Sequence, residues 1–290
     1  MIRLEGDALT SHNPMKTFPF ILVALAAILP AEAQTPAVKL ASTVFKWEDF
    51  TAKPTPNGLR REVTDLPTAT FEIFESHITT LNPGKMSHPP HQHAREEFII
   101  VMEGTLDVSL NGKVQGAGAG SLFFFAANDF HNMTNVGETP ATYHVFNLTT
   151  AATKSAPAGG ATAAAVPGKL VSAVFDWEKL ETKPTATGTR REIVNSPTTT
   201  LANLEAHVTT LNPGEMPHAA HRHPDEEIVI VKEGLMEATI NGVATRGGVG
   251  SIFFFGSNDE HGVKNVGPTA ATYHVIRIVA EATPKPPKKE

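Results

Sequence analysis

Short runs of β-branched and aromatic residues, separated by turn residues, recur along the chain. Phe98–Met102 is a continuous apolar run, and Thr105–Leu110 then alternates between apolar and polar positions before Asn111-Gly112. An Asn-Gly pair after such a stretch is a strong hairpin signal, because both residues accept the positive φ of a type I′ turn. Leu122–Phe125 supplies a further buried strand. Since these runs carry no helical period, the pattern predicts an all-β sandwich or closed barrel.

The same pattern occurs twice. Val44–Phe50 aligns with Val174–Leu180, so the offset between the copies is 130 positions. The register continues without a gap over about 105 positions, of which about half are identical. Both Trp, both Tyr and twelve of the 13 His residues pair in this way, His12 being the exception. The chain is therefore interpreted as a tandem duplication of one domain.

The segment Met15–Gln34 has the three-part pattern of a secretory signal peptide. Lys16 gives a short basic region, Phe18–Leu29 an apolar region, and Ala31-Glu32-Ala33 a small-x-small cleavage pattern. The apolar region is shorter than the roughly 20 residues that a membrane-spanning helix needs. A buried N-terminal helix or a membrane anchor is the alternative. We expect a leader over 1–33 with its signal in 15–33, translation from Met1 or Met15, and a periplasmic or secreted protein without a stable membrane span.

A segment rich in Ala, Gly, Thr and Pro separates the two copies. It covers residues 150–168 and shows no amphipathic period, which is typical of a flexible linker. The expected organisation is a first barrel over 34–149, this linker, and a second barrel over 169–290 that ends in a polar tail.

Charge and composition exclude several functions. The net charge is −6, from 24 Lys and Arg against 30 Asp and Glu, so the chain has no basic excess with which to bind nucleic acid. It contains no cysteine, which excludes disulfides, thiolate metal sites and a cysteine nucleophile. The 13 histidines are the unusual count, and they point to metal chemistry.

Three histidines and a glutamate in each copy have the chemistry of a metal site. His91 and His93 are two residues apart, so they face the same side of a strand. Along a straight strand Glu97 would lie about 13 Å from His93, too far for ligand bonds of about 2.1 Å. The chain must therefore turn between them, and we expect Glu97 on a neighbouring antiparallel strand across from the histidines. His131 comes from a third strand end.

Three neutral imidazoles and one carboxylate leave open coordination positions on a divalent metal. Such a ligand set suits Mn, Fe, Co or Ni, and also Zn and Cu with less preference. The alternative is that the histidines cap loops or form hydrogen bonds in the core. The predicted ligands of the second copy are His221, His223, Glu227 and His261.

The spacing of these residues resembles the two motifs of the cupin superfamily. The first motif is matched by Gly84 and His91-x-His93-x3-Glu97-x6-Gly104, the second by Gly120-x10-His131-x3-Asn135, and both recur in the second copy. The interval from Gly84 to His91 is one residue longer than usual. Ala126 and Asn128 stand where Pro and Gly usually precede the histidine. These departures alter a turn and leave every ligand position intact.

The resemblance implies a jelly-roll β-barrel that holds one divalent metal through three histidines and a glutamate. Two such barrels resemble a bicupin, so we expect an all-β fold of two tandem barrels related by duplication. Mn or Fe is favoured in each, with Zn or Ni as alternatives. Bicupins with this quartet include proteins similar to oxalate decarboxylase, dioxygenases and ureidoglycine aminohydrolase. The Ser-Glu-Asn tract of an oxalate decarboxylase lid has no counterpart in this sequence.

Further paired residues are weaker candidates for chemistry. His88 and His218, three positions before the first ligand of each copy, could act as acid or base, but a supporting or surface role is favoured. Arg60-Arg61 and Arg190-Arg191 could bind an anionic group, although a solvated edge-strand position is favoured. The remaining pairs would line the pocket or form hydrogen bonds in the core: His77 with His207, and His144 with His274.

Two functions of different classes fit this sequence. The first is a small-molecule metalloenzyme of oxidoreductase, decarboxylase or hydrolase type, in which an open metal position activates a substrate, O2 or water. The second is a non-catalytic cupin that binds a carboxylate or a sugar. A regulatory role is weaker, since no helix-turn-helix pattern accompanies the barrels.

The two predicted sites differ in their flanking residues. Gln92 and Phe130 are replaced by Arg222 and Glu260, and Glu260 beside His261 is expected to make the second pocket more anionic. We therefore expect sites that bind metal alike but differ in substrate preference. A monomer or an edge-paired homo-oligomer is expected, because the two copies can satisfy edge pairing within one chain.

Overall fold

The computed structural model describes residues 38–155 and 166–285. The predicted leader, residues 156–165 of the predicted linker and residues 286–290 of the tail lie outside this description. The described elements are almost all β-strands, which confirms the all-β prediction. Among the described residues, no helix is long and apolar enough to cross a membrane.

The first copy forms ten strands and a short helix. A single 3-10 turn, Trp47–Asp49, follows the first strand. The elements are β1 (Thr43–Phe45), β2 (Lys53–Thr55), β3 (Gly58–Leu66), β4 (Ile73–Leu81), β5 (Glu96–Glu103), β6 (Thr105–Leu110), β7 (Lys113–Gly118), β8 (Leu122–Phe125), β9 (His131–Asn135), β10 (Ala141–Thr149) and α1 (Ala151–Ser155).

The second copy repeats the ten strands in the same order. Its 3-10 turn is Trp177–Lys179. The strands are β11 (Ala173–Phe175), β12 (Lys183–Thr185), β13 (Gly188–Ser196), β14 (Asn203–Leu211), β15 (Glu226–Glu233), β16 (Met236–Ile240), β17 (Val243–Gly247), β18 (Ile252–Phe255), β19 (His261–Asn265) and β20 (Ala271–Val279).

The Asn-Gly hairpins form as the sequence predicts. Asn111 and Gly112 have φ values of 48° and 81°, and Leu110 pairs with Lys113 across the turn. These dihedral angles are those of a type I′ turn, whose twist matches that of the flanking strands. The hairpin thus sets the register of β6 and β7.

Each copy contains a large and a small antiparallel sheet. The large sheets have the strand orders β11-β8-β5-β10-β4-β3-β2 and β1-β18-β15-β20-β14-β13-β12, and the small ones β7-β6-β9 and β17-β16-β19. The first strand of each copy is exchanged: β1 pairs with β18, and β11 pairs with β8. Each large sheet is therefore completed by a strand of the other copy.

The core lies on both faces of the large sheets. Ile99, Phe123 and Phe125 point to the small sheet of their own copy. Phe98 and Phe124 point the other way, into a cluster that also contains residues of the second copy's large sheet. Because side chains alternate along a strand, one apolar run serves both layers. The two copies therefore share a core between their large sheets.

A buried glutamate of each copy also binds the other. Glu96, 1 % exposed, accepts hydrogen bonds from the Thr198 hydroxyl, from the Thr200 hydroxyl (2.7 Å) and from the amides of Thr199 and Thr200. Glu226 reciprocally accepts from Thr68 (2.8 Å) in the first copy. A buried carboxylate costs free energy unless its oxygens accept hydrogen bonds, so these contacts help to fix the two copies against each other.

Candidate metal centres

The three predicted histidines of the first copy meet at the junction of its two sheets. His91 forms an isolated antiparallel bridge with His131, the first residue of β9, through backbone hydrogen bonds of 3.3 and 3.0 Å. The chain then bends at Ala94-Arg95 before β5 begins. The turn between His93 and Glu97 is thus present, as predicted.

The position of Glu97 differs from the expectation in one respect. Glu97 lies on β5, opposite Phe125 of β8 and Asn147 of β10, all in the large sheet. The strand paired with His91 is instead β9 of the small sheet. The carboxylate therefore approaches the histidines from the facing sheet rather than from a strand paired with theirs.

The side chains of this cluster converge. The ring centroids of His91, His93 and His131 are 4.7 to 5.2 Å apart, and one ligand atom of each lies within 4.8 Å of the others. Glu97 Oε2 is 3.3 Å from His93 Nε2 and 4.0 Å from His131 Nε2. A bound divalent ion would have distances of about 2.1 Å to each ligand, so neighbouring ligand atoms would be about 3 to 3.5 Å apart. The His93–Glu97 pair has that spacing.

Backbone carbonyls fix which imidazole nitrogen faces the cluster. His93 Nδ1 donates to the carbonyl of Arg95 (2.7 Å), and His131 Nδ1 donates to that of Asp129 (2.9 Å). In the neutral ring of His131, Nε2 is then the lone-pair nitrogen. His131 Nε2 is buried without a hydrogen-bond partner among the described residues. An orphaned lone pair aimed at two other imidazoles and a carboxylate fits a metal ion.

The second copy repeats this arrangement. The ring centroids of His221, His223 and His261 are 4.7 to 5.1 Å apart, and His223 Nε2 lies 3.3 Å from Glu227 Oε2. His261 Nδ1 donates to the carbonyl of Asp259 (2.9 Å). The Nε2 atoms of His223 and His261 are buried without hydrogen-bond partners in the described chain. The structure therefore brings all eight predicted ligands together, four in each copy.

Burial sets the protonation of most of these groups. It lowers the pKa of His91 to about 4, and it also lowers the pKa values of His131 and His261. Burial would raise the pKa of Glu97, but the hydrogen bond from His93 and the adjacent imidazoles hold it below its usual range. Neutral histidines beside an ionised glutamate are the protonation states that metal binding requires.

The second cluster carries an ion pair that the first lacks. Asp225 stands where the first copy has Arg95, and its Oδ1 lies 3.2 Å from His223 Nδ1. Burial would lower the pKa of His223, but the adjacent carboxylates of Asp225 and Glu227 outweigh it and raise that pKa to about 9. Arg277, in place of Asn147, donates from Nε to Asp225 Oδ2 (2.8 Å).

Each cluster lies at the base of a solvent-accessible cavity. The first cavity has a volume of about 220 Å³ and the second about 500 Å³. Met133 lines the first where the smaller Val263 lines the second, and Arg277 lines only the second. Glu260 does not line the second cavity, because its carboxylate pairs with Arg222 on the surface (2.9 Å). The prediction that Glu260 makes the second pocket more anionic is therefore wrong. The two pockets differ through other residues.

The weaker candidates fall into three locations. His88 and His218 line the cavities, and each ring packs edge-on against the first histidine ligand at 4.0 and 4.4 Å between centroids. His77 and His207 also line them, with Nδ1 2.7 Å from Glu75 and Glu205. His144 and His274 are instead fully buried in the core, and burial lowers their pKa values to about 3 and 4.

The paired arginines have two different environments. Arg60 and Arg190 line the cavities, and each binds a neighbouring glutamate on the same sheet. Arg61 and Arg191 lie over the indoles of Trp47 and Trp177, at 4.8 and 4.2 Å from the ring centroids. The predicted solvated position on an edge strand therefore fits neither arginine of each adjacent pair. The first arginine lines the cavity, and the second stacks on an indole.

Sequence reasoning did not identify the Asp225–Arg277 pair or the cavity-lining Tyr143 and Tyr273, whose phenol pKa values are raised by burial. The signal for the ion pair is visible in the sequence, since both of its positions change charge between the copies. The tyrosines occur on alternating apolar strands and carry no such signal.

Comparisons with known proteins agree with this geometry. The family model described as "Cupin domain" matches residues 77–147 and 207–277, one match in each copy. No curated protein sequence matches this chain significantly. Among solved structures, E. coli protein Ylba superposes with a TM-score of 0.64 at 12 % identity, covering 84 % of this chain and 94 % of that one.

Two oxalate decarboxylase structures are also similar. The enzyme of Lactobacillus farciminis, in a formate complex, gives a TM-score of 0.62 at 16 % identity, covering 84 % of this chain and 88 % of that one. A single-site mutant of the Bacillus subtilis enzyme gives 0.61 at 16 % identity, with coverage of 87 % and 81 %. At such identities the likeness concerns the fold.

Proposed function

Because this chain contains two cupin domains in tandem, we propose that it is a two-site metalloprotein that acts on a small molecule, with one divalent metal in each domain. One observation carries the proposal: in both copies three histidines and a mostly buried glutamate converge beside an open cavity, with lone pairs left unsatisfied. Mn or Fe is the favoured metal, and Zn or Ni the alternative.

The cavities favour an enzyme over a binding protein. A bound metal would supply a Lewis acid with open coordination positions. Beside it, His88 Nδ1 donates to the carbonyl of Pro89 (3.0 Å), so its Nε2 is free to hold or accept a proton. His77 is oriented by Glu75 in the same cavity. Two non-ligand histidines next to the cluster are suitable general acids or bases for oxidoreductase, decarboxylase or hydrolase chemistry.

The alternative is a cupin that binds a carboxylate or a sugar without turnover. Its support comes from the second cavity. Arg190 and Arg277 both line it, and a guanidinium can bind a carboxylate through two parallel hydrogen bonds. The larger volume and this charge support the proposal that the two sites prefer different ligands. Export to the periplasm or medium is also proposed, on the leader sequence alone.

The test begins with elemental analysis of the chain purified without chelators or a His-tag. We expect about two divalent ions per chain, one per quartet. His91→Ala and His221→Ala should each remove one ion, whereas His144→Asn, which changes a core histidine, is the matched control and should remove none. No bound metal after reconstitution would refute the proposal.

The same preparation separates enzyme from binder. Bound Mn or Fe directs the assays to decarboxylase and dioxygenase reactions, and Zn or Ni to hydrolase and isomerase reactions. In an enzyme, replacing His77, His88, His207 and His218 by Gln should abolish turnover while both metals are retained. Ligand binding without turnover, unchanged by those substitutions, would favour the binding protein.

A further inference from the structure

Each exchanged strand is preceded by a serine that binds a loop of the other copy. The Ser42 hydroxyl donates to Asp259 Oδ2 (2.5 Å) and accepts from the Gly256 amide (2.7 Å). Ser42 comes directly before β1, which pairs with β18. The serine therefore holds both ends of the loop 256–259, which connects β18 to the last histidine of the second quartet.

This loop in turn contacts two of the three histidines. The carbonyl of Asp259 accepts from His261 Nδ1 (2.9 Å), and the amide of Asn258 donates to the carbonyl of His223 (2.8 Å). The position of the Asp259 carbonyl decides the direction of His261 Nε2, because the ring turns with its hydrogen bond. A displacement of the loop would therefore turn a predicted ligand away from the cluster.

The same contacts occur in the opposite direction. The Ser172 hydroxyl donates to Asp129 Oδ2 (2.5 Å) and accepts from the Ala126 amide (2.9 Å). The Asp129 carbonyl accepts from His131 Nδ1 (2.9 Å). The two loops share their Asn-Asp pair and differ at the two positions before it, and both carry the same set of bonds.

We propose that Ser42 and Ser172 are positioning residues for the metal centre of the opposite copy. The inference rests on the proposed metal function, and it adds that each quartet is held in position partly by the other copy. Each serine acts through an aspartate carbonyl on the last histidine of the quartet.

The two serines should not be equally important. Asp259 has a second partner, since Asn241 Nδ2 donates to its Oδ1 (3.1 Å). Asp129 is 2 % exposed, and its Oδ1 has no hydrogen-bond partner among the described residues. Loss of the Ser172 hydroxyl would leave a buried carboxylate without a side-chain partner, whereas Asp259 would keep one. The larger effect is therefore expected at the first centre.

The experiment measures one centre at a time in the full chain. His91→Ala leaves only the second quartet and His221→Ala only the first, and Co²⁺ is the probe, followed by calorimetry and by its visible absorption. Ser42→Ala should weaken Co²⁺ binding about tenfold in the His91→Ala parent and leave it unchanged in the His221→Ala parent. Ser172→Ala should do the reverse, with a larger loss.

Two further measurements separate positioning from general stability. Ser42→Thr keeps a hydroxyl and should restore both the affinity and the absorption spectrum of the second centre. Urea unfolding of each variant shows whether it is folded under the binding conditions. An equal loss at both centres, a loss in the serine's own copy, or no loss at all would each overturn the inference. If the His91→Ala and His221→Ala parents bind no Co²⁺, the proposed function is refuted together with the inference.

Discussion

Metal binding by the second centre should depend on pH far more steeply than its histidine content alone would suggest. The cause is Asp225, which faces His223 Nδ1 and, with Glu227, raises the pKa of that histidine to about 9. Below that pH the metal-free ring holds a proton that a metal must displace. In the first centre Arg95 occupies the position of Asp225, and the counterpart of His223, His93, donates from Nδ1 to the Arg95 carbonyl.

The size of the effect follows from competition between one proton and the metal. With a pKa of about 9, competition weakens the apparent affinity about 10-fold at pH 8 and about 1000-fold at pH 6, a change of about 100-fold. An ordinary histidine would give about 4-fold over the same range. His91 and His221, whose pKa values are both lowered by burial, would add little at either centre. The same raised pKa stabilises the metal-free fold below about pH 6.5, a contribution that is lost as the pH rises through about 9.

The measurement is a chelator competition with Zn²⁺ at pH 6, 7 and 8. His91→Ala reports the second centre and His221→Ala the first. Asp225→Asn, in the His91→Ala parent, is the matched variant: it removes the negative charge beside Nδ1 that raises the pKa of His223, and it should flatten the pH dependence. Equal slopes at the two centres, or a steep slope that survives Asp225→Asn, would show that this ion pair does not control the titration.

Three further substitutions, each compared with a second variant, test the packing between the copies. Gly250→Ala should lower the free energy of unfolding in urea by about 3 kcal/mol or more, because φ is +85° and a Cβ would lie 2.5 Å from the indole of Trp47. Gly112→Ala has a similar φ of +81° but open space around its Cβ, and should lower it by only about 1 kcal/mol. Lys232, the counterpart of Met102 in the second copy, places its ammonium 4.8 Å from the centroid of the Trp177 indole. Met102 and Trp47 border a cleft of about 340 Å³, so Met102→Lys should add the same contact and raise the Tm by roughly 2 °C. Lys232→Met should lower the Tm by a similar amount. Glu96→Ala should lower the free energy of unfolding by about 3 to 5 kcal/mol, while Glu96→Gln, which keeps polar atoms for the threonine donors, should cost much less; equal losses would contradict this.

Local features of this fold were predictable because local rules decide them. The Asn111-Gly112 hairpin follows from dihedral preference, and the bend between His93 and Glu97 follows from the reach of a metal ligand. Asn128 and Asn258 also adopt positive φ, 63° and 64°. Asparagine tolerates this region better than other non-glycine residues, so the unusual turn before each histidine is still formed.

The exchange of strands was not predictable from the pattern. β1 and β11 have similar sequences, and the strands they pair with, β18 and β8, are also similar, so either pairing satisfies the same alternation of apolar residues. Periodicity specifies which face of a strand is buried and says nothing about which copy provides its neighbour. For the same reason the serine contacts to the opposite loops have no signature in either copy alone.

The exchange of β1 and β11 between the copies also has a consequence for the origin and the divergence of this chain. In a polypeptide with one copy, the first strand would have no strand to pair with, and the large sheet would have an unpaired edge. Two such chains would complete each other as an intertwined homodimer. Joining them in one gene replaces that bimolecular association by an intramolecular one at high effective concentration. Fusion also ends the symmetry that a homodimer imposes. A change such as Asp225 with Arg277 can then appear in one pocket while the other is preserved.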